Sequence, residues 1–280
     1  MGAAACLWAI AANVAKSLFE DGVEPLELTQ ARAYLSLLAF AALRPWRRPR
    51  AGVVSPWVSV ALGLAITLVN AAYYIAIERL EVAVAIVIQY TAPALVVAWL
   101  AIRRRRWPAG NVLAALLAAV LGIVLVMEIG AAGFGGGDPV GFAAAGASAL
   151  LFAAYTLLSE RSESAYGPEG AMFRAFLVAS MFWILYQSFQ GWPRALVDPD
   201  NIGRVAFVGL AGTFAPFFLY VWGLRHVLSE RAVIAASLEP VAAALIAWVW
   251  FGERLSPVQI AGGVLVLTAV VLIRDRRPEP

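Results

Sequence analysis

The side chains in this chain able to do chemistry are few, and most stand in apolar surroundings. Glu239 and Pro240 sit between Ser237-Leu238 and the run Val241–Trp250. A carboxylate at such a place is expensive and marks a substrate or ion pathway. It could hold an amine, carry a proton, or simply support the kink that Pro240 introduces by removing a backbone donor. Two further ionisable groups, Arg32 and Arg174, each begin the pattern Arg-Ala-aromatic-Leu. They fit either a structural job, such as tying helix ends or snorkelling to headgroups, or a pair of gates. Lys16, one turn after Asn13, is a candidate counter-charge for a carboxylate-bearing substrate, against cheap snorkelling from a helix end. Asn70, Tyr73, Gln89, Tyr90, Tyr155, Tyr220, Ser237 and Trp8 complete a candidate cavity set, with Pro93, Pro216 and Pro240 as candidate hinges. Helix packing competes as the role of each polar group taken singly. Clustering around symmetric prolines favours a cavity.

What is missing narrows the chemistry. One cysteine and one histidine, Cys6 and His226, leave no disulfide and no metal motif. No phosphate-cradling loop or catalytic triad spacing occurs, so neither a metal nor a cofactor is expected. Apolar residues make up 62% and charged residues 14%, against about 25% charged in a soluble domain. The net charge of +3 is too small and dispersed for nucleic acid. Intrinsic disorder is excluded and a water-soluble enzyme nearly so, and a polytopic membrane protein remains.

A helix needs about 20 mostly apolar residues to cross the hydrocarbon. Charged and Pro/Gly-rich breaks delimit ten such stretches, near 2–19, 26–43, 55–77, 82–102, 108–127, 138–159, 169–189, 203–224, 231–251 and 256–273. With the N-terminus inside, the cytoplasmic segments carry Arg44, Arg47, Arg48, Arg50, Arg103–Arg106, Arg161, Arg225, Arg231, Arg274, Arg276 and Arg277. The outside segments carry only Arg79, Arg194, Arg204 and Arg254. This positive-inside bias puts both termini in the cytoplasm. Trp46, Trp57, Trp107 and Trp192 fall at span ends, as an interfacial belt requires.

The chain is also written twice. Arg32-Ala33-Tyr34-Leu35 is matched by Arg174-Ala175-Phe176-Leu177, and Tyr73 and Pro93 by Tyr220 and Pro240 at the same spacing. Ala98-Trp99 then pairs with Ala247-Trp248. The expected division is a first five-helix repeat at 1–130, a glycine-rich linker at 131–137, a second repeat at 138–275 and a tail at 276–280. Five spans per half force the halves into opposite orientations, an inverted repeat typical of secondary transporters.

These residues resemble the EamA-type proteins of the drug/metabolite transporter superfamily. The likeness rests on Trp250-Phe251-Gly252-Glu253-Arg254-Leu255-Ser256-Pro257 and its continuation Val258-Gln259-Ile260-Ala261-Gly262, on the two Arg-Ala-aromatic pairs, on Leu7-Trp8 and on Glu239-Pro240. The first half departs from the pattern, with Arg103–Arg106 and Trp107 where its mate has Gly-Glu-Arg-Leu. The resemblance implies an all-α membrane protein of ten helices in two inverted five-helix repeats. It implies an exporter or exchanger of small organic metabolites, amino acids or related compounds foremost, working by alternating access, and not an enzyme. The alternatives are a lipid or amphiphile flippase of the same fold and, further off, a membrane-embedded lipid enzyme. The partners implied are a small-molecule substrate, the lipid bilayer and protons as a candidate coupling ion, with the chain a monomer or a homodimer. Arginine in place of lysine, with abundant Ala, Gly and Pro, points to a GC-rich bacterial genome and so to a bacterial inner membrane.

Overall fold

The computed structural model describes residues 1–43, 54–80, 82–128, 138–190, 192–194, 198–251 and 254–274, without the side chains of Lys16, Glu78, Val82, Ala247, Trp250 and Phe251. The expected linker at 131–137 and tail at 276–280 lie outside the described residues. Within them the fold is helical, with no strand. The helices are α1 (Gly2–Glu20), α2 (Pro25–Ala42), α3 (Pro56–Arg79), α4 (Val82–Gln89), α5 (Ala92–Arg104), α6 (Gly110–Met127) and α7 (Pro139–Gln190). They continue with α8 (Ile202–Gly209), α9 (Ala215–Gly223), α10 (Ser229–Ala236), α11 (Leu238–Phe251) and α12 (Pro257–Leu272). Six stretches are long and apolar enough to cross a membrane by length and composition.

Local chemistry sets the boundaries. Proline opens α2, α3, α7 and α12, where its fixed φ suits a first turn and its missing N–H would have had no partner. Ser256 and Gln259 close a reciprocal capping box at the start of α12, and the Ser256 hydroxyl also bonds Glu128. The two stretches expected near 138–159 and 169–189 meet at a corner inside α7. Its first arm runs on to Tyr166 and turns at Gly167, φ 72°, before Pro168 starts the second arm. The polar run Glu160-Arg161-Ser162-Glu163 therefore extends the helix instead of forming a loop, because Ser159, Ser162 and Glu163 bury their side chains against the bundle.

The exterior is apolar, unlike that of a soluble protein, and polar side chains are buried among the apolar core. Leu117, Leu121, Leu150, Leu185, Val264 and Leu267 point outward, whereas Thr29, Gln30, Ser36, Thr67, Ser148, Thr156 and Ser180 are buried. That is the pattern expected where the solvent is hydrocarbon and polar groups serve as glue between helices. Trp57, Trp107 and Trp192 are all exposed at helix ends, while Trp46 lies outside the described residues. The α3 helix runs along α7, and α6 along α12. The latter pair meets at Gly122 and Gly262: a Cβ on either would lie 2.7 or 2.6 Å from the other's carbonyl oxygen. Gly122→Val therefore forces the two backbones apart, and overpacking of this kind costs about 1–3 kcal/mol. We expect a lower melting temperature in detergent for Gly122→Val and no loss for Gly146→Ala, whose surroundings are open and whose helix gains from the alanine.

Candidate functional site

The site is built where helices stop. The apolar stretch 82–104 is interrupted at Tyr90-Thr91, and the stretch 229–251 at Ser237. Each interruption is followed by a proline in the first turn of the next helix, Pro93 in α5 and Pro240 in α11. A third proline, Pro216, opens α9 directly after a π-helical turn at Leu210–Phe214. A proline cannot donate to the carbonyl four residues earlier, which frees the backbone oxygens of Gln89, Gly212 and Ala236. Freed carbonyls in hydrocarbon need partners from neighbouring helices.

Tyr90 supplies one. Its hydroxyl donates to Glu239 Oε2 at 2.7 Å and lies 3.4 Å from the Ala236 carbonyl oxygen. One hydroxyl thus joins the two broken stretches, across 149 positions of sequence. Tyr90 is buried and Glu239 half-buried. Ser237 is fully buried and its hydroxyl has no hydrogen-bond partner. Gln89 is half-buried one residue before the first break.

An aromatic wall continues from Tyr90. Its ring meets Phe152 edge-on at 6.2 Å, Phe152 stacks on Tyr155 at 6.1 Å, and Tyr155 stacks on Tyr220 at 5.6 Å. Trp8 closes the row, 5.7 Å from Tyr220 and 5.6 Å from Phe217. The Tyr220 hydroxyl shares a 3.1 Å hydrogen bond with Thr156. Phe152, Phe217 and Thr156 escaped the sequence reading. Their signal was helical spacing: Phe152 lies one turn before both Tyr155 and Thr156, and Phe217 one turn before Tyr220.

The arginines part company. Arg32 points into the bundle, its Nε donating to Thr213 Oγ1 at 2.7 Å and Nη1 to Tyr74 Oη at 3.1 Å. Tyr73, half-buried beside it, has its ring 6.0 Å from that of Tyr74. Arg174 is exposed and rests its guanidinium 4.2 Å above the Tyr166 ring. The two are therefore unlike in place, which argues against a matched pair of gates. Asn13 and Asn70 donate to carbonyls of their own helices, Ala9 and Ile66. The Lys16 side chain lies outside the described residues.

Ion pairs gather at the two ends of the bundle. At the end bearing the α7 corner, Arg225 donates to Glu163 at 2.5 Å and Arg104 to Glu230 at 3.0 Å. At the other end Arg79 pairs with Asp138 and Arg204 with Asp21, both at 2.6 Å. The hydrogen bond from Arg79 holds the Asp138 carboxyl below its usual range. Among the described residues no group of His, Cys, Asp or Glu is placed to hold a metal ion.

The sequence and the fold have counterparts among known proteins. The profile of the EamA-like transporter family matches residues 1–128 and 140–274. The chain belongs to that family. It is 28% identical over 264 residues to the threonine/homoserine exporter RhtA of Escherichia coli K12, spanning 93% of this chain and 83% of the relative. It is 28% identical over 217 residues to an uncharacterized transporter of Archaeoglobus fulgidus, spanning 75% and 74%. An uncharacterized inner membrane transporter of Salmonella typhimurium, YicL, is 26% identical over 73% and 68% of the two chains. A solved crystal structure superposes with a TM-score of 0.79 at 20% identity, covering 97% of this chain and 94% of that one; it shares the fold. The family and these relatives are membrane transporters, not enzymes.

The Tyr90 hydroxyl reaches a carboxyl group and the Tyr220 hydroxyl a neutral one. Hydrogen bonds to charged groups contribute about 1.5–3 kcal/mol and neutral ones about 0.5–1.5 kcal/mol. We therefore expect Tyr90→Phe to lower unfolding stability in detergent more than Tyr220→Phe does, as measured by denaturant titration of the two purified variants.

Proposed function

We propose that this protein is a secondary transporter that exports or exchanges small organic metabolites, amino acids foremost, by alternating access across a bacterial cytoplasmic membrane. The observation that carries the reading is the Glu239–Tyr90 bond between two interrupted helices. It supports a polar site deep in the bundle, at places where backbone irregularity survives only beside protein or a water-filled cavity. The substrate's ammonium group binds Glu239, and the ring faces of Trp8 and its neighbours favour a cation further. The exporter RhtA among the relatives supports amino acids as the cargo.

In this reading the chain crosses the membrane ten times, with α4–α5, α8–α9 and α10–α11 each a single interrupted pass and α7 two passes. Both termini face the cytoplasm. The separate family matches at 1–128 and 140–274 support two halves of common plan, and an odd number of passes per half sets them in opposite orientation. Such halves exchange conformations at similar energy, which is the physical content of alternating access. Pro93, Pro216 and Pro240 are the hinges. The Arg104–Glu230 and Arg225–Glu163 pairs latch the cytoplasmic face, and the former ties one half to the other. With 44% of the Arg104 side chain exposed, that latch is worth less than about 1 kcal/mol and opens readily.

Glu239 also serves as the proton-coupling group, since amine and proton compete for the same carboxylate. The test is counterflow of radiolabelled L-threonine in proteoliposomes at several pH values. We expect Glu239→Gln to fold normally, to reduce uptake by about 10–100-fold through the lost charged contact, and to abolish the pH dependence of what remains. Uptake in the variant that equals wild type and responds equally to pH contradicts the assignment.

A further inference from the structure

A second polar pocket lies between α2, α3, the second arm of α7 and the π-helical turn before α9. Arg32, Thr67, Asn70, Trp183 and Thr213 line it. Arg32 and Trp183 each lie seven residues, and Asn70 nine, from helix ends at one end of the bundle, about 10–14 Å deep at 1.5 Å per residue. An arginine at that depth is costly unless an anion or hydrogen bonds offset it. Among the described residues no carboxylate stands within ion-pair distance of Arg32. Two of its five N–H groups are used, on Thr213 and Tyr74, which leaves three donors without an acceptor among the described residues.

Trp183 provides the second, independent observation. It is 2% exposed, it lines the pocket, and its Nε1–H has no hydrogen-bond partner. Buried indole N–H groups ordinarily find an acceptor. The wall opposite is shaped for the purpose as well: the π-helical turn puts Thr213 where its hydroxyl accepts from Arg32 while donating to the Val208 carbonyl, and π-turns of this kind recur at functional sites. The pocket thus gathers unspent donors from two helices and no unspent negative charge. The repeat-equivalent Arg174, exposed over Tyr166, shows that the Arg-Ala-aromatic pattern does not by itself demand an inward-facing guanidinium.

We infer that this pocket is a carboxylate-binding subsite, in which the Arg32 guanidinium and the Trp183 indole N–H together hold the two oxygens of a substrate carboxylate. The inference rests on the transporter reading above and adds to it a second pole: the ammonium group at Glu239, the carboxylate at Arg32. The space now open, about 10 Å³ for the centre of a water molecule, admits one oxygen. Holding the second oxygen requires the pocket to widen.

The test separates the poles with three probes titrated calorimetrically into detergent-purified full-length protein. They are L-threonine, L-threoninamide, which lacks the carboxylate, and 3-hydroxybutanoate, which lacks the amine. Arg32→Gln should weaken 3-hydroxybutanoate and threonine by about 10–100-fold, the worth of a charged hydrogen bond, and leave threoninamide unchanged. Trp183→Phe, which keeps the ring and removes the N–H donated to the carboxylate, should weaken the two acids by about tenfold or more and spare the amide. Arg32→Lys should recover part of the loss, and it serves with Trp183→Phe if Arg32→Gln does not fold. Equal weakening of all three probes assigns Arg32 a merely structural role and overturns the subsite, as does 3-hydroxybutanoate that fails to bind wild type or binds Arg32→Gln equally well. Failure of the transporter reading looks different: threoninamide binding that ignores Glu239→Gln, with no threonine counterflow, while 3-hydroxybutanoate still depends on Arg32.

Discussion

Hydrocarbon offers no partner to a backbone N–H or C=O, so a membrane helix cannot be interrupted at depth unless another helix completes it. In this protein the completion is mutual. The stretch 82–104 stops at Tyr90-Thr91 and the stretch 229–251 at Ser237, and the Tyr90 hydroxyl at the first break meets Glu239 and the Ala236 carbonyl at the second. Each break is tolerable because the other is there. The bond also decides where polarity can accumulate, since the ionised form of a carboxylate needs donors nearby. The aromatic row from Phe152 to Trp8 leads away from that centre.

The remainder of the bundle serves this centre by being unlike it. Gly122 and Gly262 bring α6 and α12 into backbone contact, a close approach of the kind small residues permit. The long run of α3 along α7 is a second extended contact. In the proposed transport cycle the moving places are the irregular ones: the two breaks, the π-helical turn and the corner at Gly167. The solvent-facing pairs Arg79–Asp138 and Arg204–Asp21 contribute little to stability. On this proposal the prolines serve as hinges between packed helix pairs, as alternating access requires.

Much of this was legible in the residues, because the bilayer imposes simple rules. Helix positions follow from apolar length, and their starts from prolines and the Ser256–Gln259 cap. Glu239, Tyr90, Pro93 and Pro240 stood out because each breaks a local rule inside an apolar run, and three-dimensional proximity made one site of them. The corner within α7 was less legible: Glu160–Tyr166 reads as a polar loop until one sees that Ser162 and Glu163 are buried. Arg32 and Arg174 were indistinguishable as sequence, since their neighbours match; only packing turns one inward and leaves the other on Tyr166. Trp183 gave no signal at all. An indole in an aromatic-rich span is ordinary, and its significance lies in an N–H that nothing answers.

The central claim is that the centre is exposed to one side of the membrane at a time. Distances between spin labels across the two halves test it most directly, in a Cys6→Ala background. One pair, at Arg106 and His226, reports the end with the α7 corner, and another, at Glu20 and Ser188, reports the opposite end; all four positions are exposed. On adding L-threonine the account predicts reciprocal changes, one pair moving apart as the other closes. Two pairs that stay fixed, or that widen and narrow together, would contradict it.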